Sequence, residues 1–428
     1  APEIEYDALW YHLWLPRLWL EHGSPVDLVS EYISLYPLTW ELVYGAGLVM
    51  GGSIAAKLLS FSCLLLTAMV IYQLVRRYAP HASPWLAVTI WITTPTVLWE
   101  PTTPYVDLAL GFFVMVVVYS AIRYADTMQR PWIIIAGLSA GFALGIKHLA
   151  LIILMVVSAG LALKLWLATR NFKAVPLPLL ILVGIALLLA CPWYARNWQA
   201  PRNPVFPEFY SVFGAEPPQR WDVVTEQGLQ QFKAHFGRTR TFSHLVTLPW
   251  DMTIHAALYG GNLGPIFLMF IPALLLYRSR TPVIPWLSGL VLIYILFWAS
   301  SLSSFQMRFL VPIVPLLAVL AAESLEQLRR TVRVMGGKSG TRFVEFVIIV
   351  LALLNLPPFT SLHEFDRVVW DGWLTHVIHT VPLGVVMGGV TETDYLNQKV
   401  PSYAAWQYID TYLASDSRVL TFSGGDHF

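Results

Sequence analysis

The chain has 428 residues, 56% of them hydrophobic and only 12% charged. Soluble domains carry about 25% charged residues, so lipid replaces water as the solvent for much of this surface. With 27 Lys and Arg against 26 Asp and Glu, the net charge is +1, which excludes a nucleic-acid footprint.

Apolar runs of roughly 20 residues recur, the length a helix needs to cross hydrocarbon. Only helices and closed barrels satisfy their backbone in lipid. Continuous runs, rather than short alternating ones, select helices. In chain order, the opening stretch is dense in Trp and Leu and predicts a helix along the membrane interface over 7–22, with a second over 38–50. Spans are predicted at 54–75, 85–99, 105–122, 132–146, 149–168, 175–194, 262–277, 284–302, 309–328 and 343–359. The fold class is therefore an all-α polytopic membrane protein with about ten spans plus interfacial helices. Residues 1–53 form a first loop segment, 54–359 the helical membrane domain with a long loop at 195–261, and 360–428 a mixed tail read as a small, incomplete α/β unit. The tail ends in a strand-like stretch at 418–422. The chain opens on Ala1 with no signal peptide, and both ends read as cut, with one further span expected before Ala1 if the whole protein starts inside.

Lys and Arg set the orientation. With Arg76 and Arg77 inside, alternation also places inside Arg123, Arg130, Lys164, Arg170, Lys173, Arg278, Arg280, Arg329, Arg330, Arg333, Lys338 and Arg342. These are 14 of the 27 basic residues, all in short loops or at span ends. The segments 1–53, 99–105, 195–261 and 360–428 then lie outside. Cys63 and Cys191 fall in separate apolar runs and read as small core residues, with no disulfide framework or metal spacing.

Single charges collect at the outward ends of the spans: Asp7 and His12 on the first interfacial helix, Lys57, Glu100, Asp107, Lys147, His148, Arg196 and Arg308. Charge at membrane level is costly and is usually held for a reason. The carboxylates could act as bases or, as Asp7, Glu100 and Asp107 together, share a divalent ion. Lys147, Arg196 and Arg308 could grip a phosphate. A carboxylate that deprotonates an acceptor, beside cations that neutralise a leaving phosphate, suits a lipid-phosphate donor. Plainer readings stand beside these. Asp7 could be a helix cap, Asp107 could pair with a neighbouring Lys or Arg, and Lys57 and Arg308 could snorkel to headgroups. His12 and His148 could be packed interfacial rings. Glu323 and Glu345, near the inner ends of their spans, could be ordinary interface residues. No Walker A loop, HExxH, GxSxG or haem motif occurs.

The opening Tyr6-Asp7-Ala8-Leu9-Trp10-Tyr11-His12, running on to Gly23, resembles the first outside loop of bacterial GT-C membrane glycosyltransferases. This family is related to the protein O-mannosyltransferases and includes the lipid A aminoarabinose transferase. Similar stretches follow in order: Pro104-Tyr105-Val106-Asp107, Ala136 to Lys147, Pro192-Trp193-Tyr194-Ala195-Arg196-Asn197 with Asn203 to Pro207, Gly264 to Leu268, Met307 to Pro315, and the tail from Thr391. The resemblance implies a polyprenyl-phosphate-linked sugar as donor, inversion at the sugar, and an active site at the periplasmic face of a bacterial inner membrane. It makes Asp7 the catalytic base, Asp107 the second acidic site residue, and Lys147, Arg196 and Arg308 phosphate contacts. The acceptor, a glycan, lipid or protein, stays open. Members often carry Asp-Glu in the first loop, whereas here Ala8 follows Asp7. Two other readings remain: a non-catalytic subunit of a larger membrane complex, and a lipid or sugar-lipid transporter.

Overall fold

The structure is a computed structural model that describes the chain except residues 27, 29–30, 218–220, 272–280, 301, 355–381, 415–416, 418 and 420–428. The described residues are helical and contain no strand. A π-helical turn at Ala8–His12 leads into α1 (Trp14–His22), which stops at Gly23 with φ +74°. Eleven apolar or amphipathic helices build the rest of the frame. They are α2 (Thr39–Tyr78), α3 (Pro84–Thr93), α4 (Asp107–Thr127), α5 (Arg130–Ile146), α6 (Ala150–Thr169), α7 (Pro176–Gln199), α8 (Val223–His235), α9 (Phe242–Ile254), a short helix Pro265–Phe270, α10 (Val283–Trp298) and α11 (Val314–Leu354).

Their ends follow local chemistry. Ser83 caps α3 by accepting from the Leu86 N–H, with Pro84 at the first helical position. Asp222 and Thr241 cap α8 and α9 in the same way. The helix α2 is two helices joined at a break: Gly52 has φ +64°. In a straight helix residues nine apart lie about 13 Å apart. Here a Cβ on Gly47 would stand 3.3 Å from the Ala56 nitrogen, so the chain turns sharply between 50 and 53. The helix α11 breaks at Gly337, where φ is +59°. Arg329 and Glu345, which a straight helix would hold about 24 Å apart, meet at 3.3 Å. The chain folds back on itself there.

Among the described residues five helical stretches are long and apolar enough to cross a membrane: Thr39–Tyr78, Asp107–Thr127, Ala150–Thr169, Phe172–Gln199 and Met307–Val350. Pro84–Thr93, Arg130–Ile146 and Val283–Trp298 are shorter apolar helices. Of the ten expected spans, 309–328 and 343–359 start as the two arms of the broken α11, and 262–277 runs into residues outside those described.

The first arm of α11 is the centre of the bundle: Val314, Leu316, Ala318, Val319, Ala321 and Ala322 are fully buried. An all-round apolar helix has to sit inside. By contrast α7 leaves Leu180, Leu187 and Leu188 exposed, a lipid-facing surface. Cys63 is buried as expected, but Cys191 lies on that exposed face, where a weakly polar thiol costs little in lipid. On α5, Gly137, Gly141 and Gly145 repeat every four residues. Cβ atoms at Gly137 and Gly141 would meet Ile185 Cβ at 2.9 Å and Leu189 Cβ at 2.7 Å, so their absence lets α7 close on α5. At Gly145 the same space is taken by Thr39, whose hydroxyl accepts from the Trp193 indole at 2.8 Å.

In the tail, short helices occupy Leu383–Val386, Glu392–Lys399 and Tyr403–Tyr412. The expected strand at 418–422 lies outside the described residues apart from Val419. The two ends of the bundle differ in charge. At one end Tyr78, Arg123, Asp126 and Trp132 meet, with Arg330 reaching the His81 carbonyl at 3.3 Å. At the other end lie the N-termini of α4 and α6, the C-termini of α5 and α7, and the 3-10 segment Met307–Ile313 that precedes α11.

Candidate active site

That second end gathers the sequence's candidate residues. Asp107 opens α4 and is fully buried. Lys147 follows the last residue of α5, and its Nζ donates to Asp107 Oδ1 at 2.6 Å. Asp107 thus pairs with a neighbouring-helix Lys, the plainer reading of its charge, within a larger cluster. Arg308 stands one residue into the 3-10 segment, and its Nη1 donates to Asp7 Oδ2 at 2.6 Å. Its Nε donates to Gln306 Oε1 at 2.8 Å. Gly111 on α4 packs against this segment, where a Cβ would lie 3.5 Å from the Val311 carbonyl oxygen, an ordinary contact.

One ring ties the two ion pairs together. Lys147 Nζ is 4.7 Å and the Arg308 guanidinium carbon 5.3 Å from the centre of Phe309. Tyr105 lies on the other side of Arg308, at 5.1 Å, and its hydroxyl accepts from the Asp7 N–H at 3.4 Å. Tyr44 fixes this loop by donating to the Tyr105 carbonyl at 2.5 Å.

Glu100 and His12 complete the cluster. Glu100 is fully buried, and neither carboxyl oxygen meets a partner among the described residues. Burial, and then the charge of Asp107, push its carboxyl well above the usual range. His12 is buried with Nδ1 2.7 Å from Glu41 Oε1. Its ring packs 4.0 Å from Tyr11 and 5.6 Å from Tyr105, which also satisfies its reading as a packed ring. Burial, then Lys147 and Arg308, drive the His12 imidazole well below its ordinary value, so it is neutral.

Arg196, near the C-terminus of α7, belongs to an adjoining group. Its Nη2 donates to the Tyr36 carbonyl at 3.2 Å and its Nε to Asn197 Oδ1 at 3.2 Å, with the guanidinium 5.1 Å from Trp193. Asn197 in turn donates to the Leu35 carbonyl at 2.8 Å. His148 packs edge-on to Tyr36 and Tyr194, and burial, then Lys233 and Arg196, bring its pKa down to about 4. Lys233 is held by Glu208 at 2.6 Å. Tyr36 links the groups: its ring meets Tyr11 at 6.2 Å, and the charge of Asp7 reaches it.

Lys57 goes elsewhere. It binds Glu3 at 3.1 Å and the Ala1 carbonyl at 3.0 Å, while Glu3 Oε1 also accepts from Thr103 at 3.2 Å. It clamps the N-terminal segment rather than joining the cluster. Among the described residues no group of three His, Cys, Asp or Glu side chains could hold a metal ion. Asp7 and Asp107 each face a cation instead. Glu323, read as an interface residue, is buried and accepts from Thr281 and Gln327 at 3.0 Å, whereas Glu345 is half exposed on Arg329.

Sequence reasoning missed Glu41, Tyr11, Tyr36 and Lys233. Glu41 had a signal: it is a lone carboxylate within an apolar run, the criterion that singled out Asp7. An apolar cleft of about 300 Å³ runs between α1 and the first half of α2, lined by Trp19, Leu20, Leu42, Gly45, Ala46 and Val49.

No family model matches the sequence, and no curated protein matches it. The chain is similar to two crystal structures of ArnT from Cupriavidus metallidurans. One, bound to undecaprenyl phosphate, gives a TM-score of 0.49 at 17% identity, covering 88% of this chain and 69% of that one. The other, in the apo state, gives 0.48 at 16% identity, covering 94% and 69%.

Proposed function

We propose that the chain is an inverting glycosyltransferase that uses a polyprenyl-phosphate-linked sugar at the outer face of a bacterial inner membrane. The observation that carries this reading is the pairing of each candidate base with a candidate phosphate-binding cation, Asp7 with Arg308 and Asp107 with Lys147, around one ring at one end of the bundle. The motif order in the sequence supports it.

In this mechanism the donor's phosphate takes hydrogen bonds from Arg308 and Lys147, in competition with their carboxylates. That exchange loosens Asp7 from Arg308. Asp7 then accepts the proton of the acceptor hydroxyl. The acceptor oxygen bonds to the anomeric carbon on the face opposite the phosphate. The bond from carbon to phosphate oxygen breaks, and polyprenyl phosphate leaves with the electron pair, its charge stabilised by the two cations. Asp107 holds Lys147 in place. Arg196 is assigned to the far side of the phosphate or to the acceptor. The apolar cleft against α1 is assigned to the prenyl chain. The loop 195–261 and the tail 360–428 are assigned to acceptor choice.

The test is turnover of a radiolabelled polyprenyl-phosphate sugar by purified protein. D7N is expected to lose about 10²–10⁴-fold, the usual worth of a positioned base. Full turnover by D7N rejects Asp7 as the base.

A further inference from the structure

Among the described residues, Glu100 is the one member of the cluster with no hydrogen-bond partner. Four carboxyls lie together there, Asp7, Glu41, Glu100 and Asp107, against two cations, Arg308 and Lys147. Each cation is already bonded to an Asp, and Glu41 has His12. Both oxygens of Glu100 are buried and unbonded among the described residues, on a short 3-10 turn at Glu100–Thr102 that leads straight to Tyr105 and Asp107. The charges close enough to act on it are Asp107, Lys147, Arg308 and Asp7. An ionised carboxylate left in that place would repel the phosphate that the two cations are assigned to bind. An un-ionised one has a hydrogen to donate.

We propose that Glu100 is a third phosphate-binding group, which donates the hydrogen of its un-ionised carboxyl to the donor's phosphate beside Arg308 and Lys147. This rests on the transferase reading above. With Glu41 also un-ionised, its buried carboxyl pushed up to about 8 beside the neutral His12, it makes the cluster neutral before the donor arrives, because two cations balance two aspartates, and lets a monoanion enter without a carboxylate in its way. The desolvation that raises the Glu100 pKa acts in the same direction. The sign follows: anion binding is full while Glu100 holds its proton and is lost as pH rises through its raised pKa.

The experiment uses the full chain in lipid nanodiscs and has two readouts. The first is the infrared carbonyl band of a protonated carboxyl at neutral pH, compared between wild type and E100Q. The second is binding of farnesyl methyl phosphate, a phosphodiester that stays a monoanion, between about pH 6 and pH 9. The expected result is a band that E100Q removes, and a wild-type Kd that rises about tenfold per pH unit once rising pH begins to remove the band. E100Q keeps the low-pH affinity and stays flat. No band difference, or an E100Q profile as steep as wild type, overturns the role of Glu100 and leaves the transferase reading intact. Should E100Q fail to fold, titration of the wild-type band decides: its loss with rising pH, in step with binding, supports the proposal, and its absence overturns it. A band removed by E100Q with no phosphodiester bound by wild type at any pH rejects the transferase reading and the ligand given to Glu100 with it.

Discussion

The ion pairs of Arg329 and Arg330 at one end of the helical bundle and those of the candidate site at the other sit in opposite surroundings. At the basic end Arg329 and Arg330 share Glu326 at 3.1 Å each, and both are about half exposed. These are one-turn pairs on a helix surface, open to water. At the candidate site Asp107 is 0% exposed and bonded by a Lys from another helix forty residues on. Asp7 meets Arg308 across almost the whole sequence. Exposed pairs are worth roughly 0–1 kcal/mol. Breaking one partner of a buried pair costs about 3–5 kcal/mol. The Glu326 pairs keep their charges where they are cheap, whereas the candidate site accepts a cost that folding alone gives no reason to accept.

The sharpest way to break this contrast is to remove one buried partner. K147M leaves Asp107 buried with its carboxylate unbonded, since Oδ2 already lacks a partner among the described residues. The expected loss is about 3–5 kcal/mol, seen as a marked fall in Tm in detergent. The double change D107N with K147M is expected to recover most of it, because it removes the orphaned charge along with the pair. A K147M variant as stable as wild type would mean that the site's ion pairs are no stronger than those at the surface.

How far the sequence shows this arrangement depends on the level. Asp7, Asp107, Lys147 and Arg308 stand out singly, as lone charges in apolar surroundings, and alternation of the spans puts them at one end. Who pairs with whom is not legible. It depends on how closely helices approach, which Gly141 and Gly145 set through atoms they lack, and on Phe309 lying between two cations. Lys57 looked like a site residue for the same local reason as Lys147. Its diversion to Glu3 is a tertiary contact that local patterning does not encode. Glu41 was passed over because its run reads as an interfacial helix, yet it is buried on His12. The glycine breaks in α2 and α11 coincide with interruptions of the apolar runs, so the path of the chain is more legible than the side-chain network it supports.

The adjoining group at the same end gives a smaller effect with a pH signature. His148 has a pKa of about 4, lowered by burial and then by Lys233 and Arg196. An unfolded imidazole titrates near 6.5. A depressed folded pKa leaves stability intact above pH 6.5 and drains it as pH falls towards 4, because the unfolded chain takes the proton first. H148Q is expected to reduce the acid sensitivity of Tm in that window, with a difference of about 1–2 kcal/mol near pH 5. Identical acid profiles for the two proteins would show that water reaches the ring freely and that this group resembles the basic end after all.

The smallest effect is expected at the basic end itself. Arg330 donates to Glu326 at 3.1 Å and to the His81 carbonyl at 3.3 Å, from a half-exposed position. R330A should change stability by less than about 1 kcal/mol, and less still in high salt, because water and ions screen the pair. A loss as large as that of K147M would erase the difference between the ends. The positive charge there is expected to have another use: Lys and Arg in short loops bias which way spans insert, and that choice is made before the folded contacts exist. The R329A, R330A and R333A triple variant separates the two roles. Tm is expected to stay close to wild type for the correctly inserted fraction, while a cysteine-accessibility assay of the inner loops detects a share of chains inserted the wrong way round. Charge at one end would then act on insertion, and charge at the other on the folded site.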